Sequence, residues 1–312
     1  MQVHSNLEKL PVFTHAVVTI GTFDGVHSGH RQIISQLKKE AERAGGETVI
    51  ITFHPHPRNI VNTGAHPVKI LTTLDEKIEL LRKEQINHLV VVPFNENFAD
   101  QSPEHYIREF LYEKFHPHRI IIGYDHKFGK GRTGNYKLLE AFALELGFRV
   151  VEIPEHVIDE VTISSTRIRQ AIVSQDIETA NHFLGHDYFF EGLVVKGDRL
   201  GRTLGYPTAN LVIQDEDKLV PANGIYAVEV ELKDEPGKMK GMMSVGVRPT
   251  INDNNMRSLE VNIFDFDRDI YGKSLRVYLK HFIRQEEKFD SIRGLIEKID
   301  EDKVICLKLL AN

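Results

Sequence analysis

Gly21-Thr22-Phe23-Asp24-Gly25-Val26-His27-Ser28-Gly29-His30 is the stretch whose reading decides the fold of the first half of this chain. It follows the apolar run at 16–20 and precedes a segment in which Ile33, Ile34, Leu37, Ala41 and Ala44 recur at helical spacing. The order this implies is strand, glycine-rich turn, helix. Backbone N–H groups at the start of such a helix, with the positive end of its dipole, face whatever lies above the strand end and favour a phosphate. His27 and His30, three apart, share one face of the first turn and can donate to the same anion. Gly29 between them lets a ligand approach the backbone closely. An isolated His-x-x-His reads as an ordinary turn with two surface histidines. Gly21, Gly25 and Gly29 around the pair shift the reading to a phosphate cradle.

Outward from this turn, strand-like apolar runs at 48–53, 88–93, 119–122 and 148–153 alternate with helical patterns. One helix begins at Thr73, with Glu76 placed for a capping box. A second begins at Ser102-Pro103-Glu104 and presents Tyr106, Phe110 and Leu111. A third follows Asn135 and ends at Gly147. Such alternation predicts a doubly wound parallel α/β sheet with its ligand crevice at the carboxyl ends of the strands. Three more polar loops fall there: His54-Pro55-His56-Pro57-Arg58, the glycine-rich cationic stretch 123–135, and Ile163-Ser164-Ser165-Thr166-Arg167-Ile168-Arg169. In the last, hydroxyls at a helix start with arginines in the first turn suit an anion.

A helix over 176–183, closed by Gly185, leads to a change of period. We place the boundary near 185, giving domains 1–184 and 185–312. Beyond it come strand-like runs at 188–196, 224–232, 240–247, 257–264 and 274–282, then a terminal helix over 291–310. An all-β domain is indicated, most simply a small closed barrel, because closure removes exposed edges. The helix carries Ile292, Leu295, Ile296, Ile299, Val304, Leu307 and Leu310 to pack against it. The stretch from Gly197 to Leu211 holds Gly197, Gly201, Gly205 and Pro207-Thr208-Ala209-Asn210 but lacks the Gly-Lys-Ser/Thr of a Walker loop. Its glycines suit a backbone cradle for phosphate, and Thr208 and Asn210 offer oxygens to a hard cation.

The chain has 312 residues, 41% of them hydrophobic, enough for two cored domains. Its net charge of −6 offers no basic face for nucleic acid or acidic lipid. The one cysteine, Cys306, cannot form an intramolecular disulfide, and no apolar run approaches the roughly 20 residues of a spanning helix. The expectation is a cytoplasmic protein with no membrane and no nucleic-acid partner, monomeric or a weak homo-oligomer.

The string at 21–30 resembles the ATP-binding signature of the HxGH nucleotidyltransferases, specifically of the prokaryotic bifunctional riboflavin kinases/FAD synthetases. The Gly-x-x-x-Gly-x-Pro-Thr-Ala-Asn string at 201–210 is similar to that family's riboflavin kinase motif, and matches at 221–226, 244–250, 259–272 and 281–289 follow in order. The resemblance implies two active sites using ATP with Mg²⁺. The first domain would join AMP to FMN, giving FAD and pyrophosphate. There Gly21, Thr22, Phe23 and Asp24 would line the ATP site, His27 and His30 would contact its phosphates, and Ser165, Thr166 and Arg169 would serve the phosphate side. His56, Asp125 and Phe128 would meet the flavin. The second domain would phosphorylate riboflavin to FMN. Gly197, Gly201, Gly205, Thr208 and Asn210 would bind ATP, Thr208 and Asn210 would also bind the metal, Glu260 would be the general base and Arg284 would contact flavin. Where the family pattern has Phe, position 126 is His; Asn135 stands where Asp is common, and Asn262 where His is frequent. The alternatives are a flavin-binding regulator and a nucleotidyltransferase with another acceptor.

Overall fold

The computed structural model describes residues 1–61, 67–123, 126–153, 163–197, 200–233, 235–248 and 256–311. The chain forms two compact units, Met1–Ser165 and Thr166–Asn312.

The first unit is built on a 6-stranded sheet. Its strands are β1 (Gln2–His4), β2 (Val17–Ile20), β3 (Thr48–His54), β4 (His88–Pro93), β5 (Arg119–Gly123) and β6 (Arg149–Ile153). They pair in parallel in the order β1-β4-β3-β2-β5-β6. All four residues of β2 are buried, as a central strand covered on both faces requires. The connections reverse direction between β2 and β5, so the switch-point crevice opens at the residues that follow Ile20 and Gly123. The sequence reading anticipated five of these strands. The sixth, β1, is a polar three-residue edge that pairs Gln2 with His88.

The helices begin and end where their caps place them. Thr73 and Glu76 form the reciprocal capping box of helix Leu74–Lys83, with the Thr73 hydroxyl accepting from the Glu76 N–H at 3.3 Å and the Glu76 carboxylate from the Thr73 N–H at 2.9 Å. Ser102 caps Pro103–His105, which runs on into Tyr106–Tyr112 and buries Tyr106, Ile107, Phe110 and Leu111. Asn135 and Gly147 bound helix Tyr136–Leu146. One core joins the last two of these segments, through Tyr106, Phe110 and Leu139 among others, to Val18, Ile20, Val49, Ile51, Val90 and Ile120 of the sheet.

In the second unit, helix Ile177–Leu184 runs from its cap Asp176 to Gly185. It precedes the boundary expected near 185 yet packs with the strands beyond it. The Asn181 side chain donates to the Leu279 carbonyl at 2.8 Å and accepts from the Tyr188 N–H at 2.7 Å. The strands are β7 (Tyr188–Val195), β8 (Ala209–Val212), β9 (Gly224–Leu232), β10 (Met239–Arg248), β11 (Met256–Ile263) and β12 (Ser274–Arg284). They close in the order β10-β11-β8-β7-β12-β9, every neighbour antiparallel. The expected closed barrel is thus present. Its additional member, β8, is four residues inside the glycine- and proline-rich motif.

The terminal helix, Ile292–Leu309, starts at its cap Ser291 and packs Ile299 and Leu310 inward as expected, but leaves Ile292, Val304 and Leu307 of the expected aliphatic face outside. Ile292 and Val304 are 69% and 68% exposed, whereas Asp302, Cys306 and Leu310 are buried, with Ile299 packed beside them. The cause is an ion pair. Arg284, at the end of β12, donates through Nε and Nη2 to the Asp302 carboxylate at 2.8–3.0 Å, and Asp302 is 2% exposed. Drawing that aspartate in rotates Val304 out. Asp302→Ala leaves the half-buried Arg284 guanidinium with the longer 4.0 Å contact to Glu287, and the expected cost is about 1–3 kcal/mol, read as a lowered urea midpoint of the barrel unit.

Candidate functional site

The turn after β2 is held by one carboxylate. Asp24 is 1% exposed, and its oxygens accept from the Leu71 N–H at 2.9 Å, the Thr72 N–H at 3.0 Å and the Thr72 hydroxyl at 3.2 Å. Thr72 Oγ1 in turn accepts from the Gly25 N–H at 3.0 Å, and Ser165 Oγ donates to the Asp24 carbonyl at 3.0 Å. The turn is thereby forced through positive φ at Phe23 (47°), Gly25 (85°) and Val26 (42°). For a β-branched residue such as Val26 that conformation persists only where the surroundings impose it.

The turn delivers His27 to the N-cap of helix Ser28–Ala44. His27 Nδ1 accepts from the His30 N–H at 3.4 Å, which makes Nε2 the donor nitrogen of the neutral ring. The rings of His27 and His30 stack at 3.7 Å, with Phe23 5.0 Å from His30 on the tilt. Gly29 has a role beyond ligand access: a Cβ there would lie 3.2 Å from the His27 ring, so the small residue makes room for the stack. His30 Nδ1 is buried with no hydrogen-bond partner among the described residues. Burial, then His27, then Lys77 hold the His30 imidazole well below its ordinary 6.5. Lys77 is the residue that sequence reasoning missed here. A lysine in a helix reads as solvated, yet this one is 6% exposed beside the cradle.

The other residues assigned to this site are placed as follows. Gly21 donates its N–H to the Ile51 carbonyl, and the Thr22 carbonyl accepts from the Thr52 hydroxyl. His56 caps helix Pro57–Ile60, its Nδ1 accepting from the Arg58 N–H at 3.2 Å. The Phe128 ring is buried in the core, stacked on Tyr106 at 5.1 Å. Asp125 lies outside the described residues. Thr166, exposed, and Arg169, half-buried, follow Ser165 on helix Ser165–Val173.

In the barrel unit, β8 runs between β7 and β11 and sets Asn210 opposite Glu260. The Glu260 carboxylate accepts from the Thr208 hydroxyl at 3.2 Å and from the Ser258 hydroxyl at 3.1 Å. Asn262 donates to the Pro207 carbonyl at 2.7 Å, fixing the backbone that enters Thr208. Gly197 is packed on Asn210, where a Cβ would fall 2.4 Å from the amide nitrogen. Gly201 is packed on the Tyr206 carbonyl, where a Cβ would fall 2.3 Å away. Gly205 takes φ of 83°. A cavity of about 60 Å³ beside the motif is lined in part by Arg202, Pro207, Thr208, Phe266 and Tyr271. Burial first, then a hydrogen bond to Asp300, pushes the Tyr206 phenol up to about 12, so it remains a donor at any physiological pH. Arg284 is held by Asp302, as described above. Ser258 and Asn262 were not anticipated as partners of the site. Their alternation with Glu260 on one strand face is the signal that marks them.

A parallel sheet with a histidine-bearing helix start at its switch point, and a separate closed barrel with a carboxylate–hydroxyl cluster under a glycine-rich loop, describe a protein of two phosphate-handling units. Comparison with known proteins agrees. Residues 10–167 match the family model of FAD synthetase and residues 184–310 that of riboflavin kinase. Bifunctional riboflavin kinase/FMN adenylyltransferases of Listeria monocytogenes and Bacillus subtilis are 37% and 35% identical, over 92% and 95% of this chain and 90% and 93% of theirs. A crystal structure described as a macrolide-efflux protein from Streptococcus pneumoniae is 32% identical, with a TM-score of 0.85 over 98% of each chain. The chain belongs to the bifunctional riboflavin kinase/FMN adenylyltransferase family.

The depressed His30 has a pH consequence. Its folded form binds a proton less readily than the unfolded chain, so its contribution to stability is present above 6.5 and is lost as pH falls through the folded value. Unfolding of the protein followed from pH 7.5 to 5 should lose stability below about 6.5, and His30→Gln should flatten that part of the profile.

Proposed function

We infer that the barrel unit phosphorylates riboflavin with ATP to give FMN, and that the α/β unit transfers AMP from a second ATP to FMN, releasing pyrophosphate. Family membership supports both activities. The observation that supports particular residues is the pair of stacked imidazoles at a helix start in one unit and the hydroxyl-bound carboxylate in the other.

In the first unit the FMN phosphate attacks the α-phosphorus of ATP and pyrophosphate leaves. His27 and His30 donate to the phosphates, and the N–H groups of the helix start add partial positive charge. Gly21 to Asp24 line the nucleotide, and Ser165, Thr166 and Arg169 supply hydroxyl and guanidinium donors to the same anion. His56, Asp125 and Phe128 belong to the flavin side. The chemistry is charge stabilisation and positioning, with no protein nucleophile.

In the second unit Glu260 receives the proton of the riboflavin 5′-hydroxyl as its oxygen bonds the γ-phosphorus of ATP and the bond to the β-phosphate oxygen breaks, releasing ADP. A carboxylate is a weak base for an alcohol, and a late proton transfer is what makes it sufficient. The Thr208 and Ser258 hydroxyls aim it. Gly197, Gly201 and Gly205 cradle ATP. Among the described residues no group of three or more His, Cys, Asp and Glu side chains could hold a metal. The hard oxygens of Thr208 and Asn210 nevertheless fit a Mg²⁺ carried largely by the nucleotide, and the absence of room for a Cβ at Gly197 keeps the Asn210 amide within reach of such a ligand. When bound, Mg²⁺ neutralises charge on the phosphates. Arg284 is assigned to the flavin side.

Both substrates are metabolites of the cytoplasm, which is where we place the protein. Among the described residues no helix is long and apolar enough to cross a membrane.

Incubation of the purified protein with riboflavin, ATP and Mg²⁺, with flavins resolved by chromatography over time, should show FMN first and FAD after it; neither flavin product would overturn the reading. Glu260→Gln should lower FMN formation by about 10²–10⁴ while added FMN is still converted to FAD. His30→Ala should accumulate FMN, with FAD formation down by about 10²-fold. Loss of both activities in either variant would contradict two separate sites.

A further inference from the structure

The loop that follows β12 brings a second carboxylate to the face of the barrel that carries Glu260. On β11, Ser258, Glu260 and Asn262 share that face, while Leu259 and Val261 between them point the other way and are buried. Antiparallel pairing sets Ser244 of β10 directly opposite Glu260, and Gly246 directly opposite Ser258, so these positions share the face as well. Gly246 leaves room for a carboxylate: a Cβ there would lie 2.5 Å from Glu286 Oε1 and 3.1 Å from its Oε2. The Glu286 carboxylate thus occupies the place that a side chain at 246 would take. Ser244 Oγ donates to the same Oε1 at 3.4 Å. Across from Gly246, the Ser258 hydroxyl donates to Glu260 at 3.1 Å. The two carboxylates are therefore set side by side over adjacent strands, which lie about 5 Å apart.

The chain holds Glu286 there without a counter-ion. Among the described residues its hydrogen-bond partner is the Ser244 hydroxyl, and no cation pairs with it. Arg284, two residues earlier, is committed to Asp302 at 2.8 Å and makes its longer contact to Glu287. Glu286 is also exposed, so an approaching ligand can reach it. A carboxylate placed in this way, with one oxygen lightly engaged and the other open, is suited to accept from neutral hydroxyl donors. Hydrogen bonds to a charged acceptor are among the stronger ones a site can offer an uncharged ligand.

Riboflavin presents such donors, because its ribityl chain carries secondary hydroxyls on the carbons that lead to the 5′-hydroxyl. We propose that Glu286 is a specificity-determining residue of the kinase site, accepting hydrogen bonds from the ribityl hydroxyls and so selecting a polyol side chain over a simple alkanol. With the 5′-hydroxyl at Glu260, a chain laid across β11 and β10 brings the preceding hydroxyls to Glu286. The Ser244 hydroxyl and the bare backbone of Gly246 keep the carboxylate at that spacing from the base. The inference rests on the assignment of riboflavin phosphorylation to the barrel unit, with Glu260 as its base.

The test uses the full chain and two acceptors: riboflavin, and a flavin whose N10 substituent is a 5-hydroxypentyl chain, which keeps the terminal hydroxyl and lacks the secondary ones. The wild-type protein should prefer riboflavin in kcat/KM. Glu286→Ala should shrink that preference by about 10–100-fold, chiefly through the KM for riboflavin. Glu286→Gln, which keeps the shape and a weaker acceptor, should fall between. Gly246→Ala should act in the same direction as Glu286→Ala, because its Cβ displaces the flexible Glu286 side chain, and combining the two should change the preference little further. A preference that does not move, including an equal loss with both acceptors such as a damaged barrel or a role for Glu286 as the base would give, overturns the proposal. Where a variant phosphorylates neither acceptor, binding of the two flavins followed by fluorescence quenching supplies the same comparison. Should the wild-type protein fail to phosphorylate riboflavin, the assignment of the reaction fails instead, and the binding comparison still decides whether Glu286 reads the hydroxyls.

Discussion

The first unit depends on a carboxylate that water never reaches. Asp24 would be costly to bury as an unsatisfied charge, and the chain answers by bringing two successive amides and a hydroxyl from residues 71–72 to it. Hydrogen bonds to a charged group are each worth about 1.5–3 kcal/mol. That is enough to impose left-handed backbone on Phe23 and Val26, which no local preference favours. The position of His27 at a helix start, the ring stack and the room left by Gly29 all follow from that clamp.

The two units build their candidate sites from different materials. One uses imidazoles and the start of a helix. The other uses a strand too short to be a good strand, with hydroxyl and amide oxygens in register with a carboxylate. Both use glycines where a Cβ would press on side chains of the candidate site, tightly at Gly29 against His27 and with no space at Gly197 against Asn210. In each case the glycine serves the neighbouring functional side chain as much as any ligand.

Periodicity made the long elements legible: the buried parallel strands, the capped helices and the antiparallel runs of the barrel follow from apolar spacing and end signals. The elements it could not give are those whose stability is tertiary. Gln2–His4 is a polar edge with no pattern of its own, and Ala209–Val212 is embedded among turn-forming residues and becomes a strand because β7 and β11 flank it. The face of the terminal helix was misleading for a related reason. Hydrophobic count pointed to Ile292 and Val304, and a charge pair with Arg284 decided otherwise. At the candidate sites, motif residues were legible by type, and Ser258 and Asn262 by their alternation with Glu260, whereas Lys77 and Thr72 emerge only once the fold brings distant segments together.

The two sheets end differently. The barrel returns on itself and presents no lateral strand to a neighbour, but the parallel sheet terminates at β1 and β6. Its exposure to sticking is thus concentrated at two borders, one only three residues long and the other carrying Arg149 and Glu152 at exposed positions. When many copies emerge from ribosomes together, the half of the molecule at risk of edge-to-edge association is the one translated first. Its borders are blunted by brevity on one side and by charge on the other.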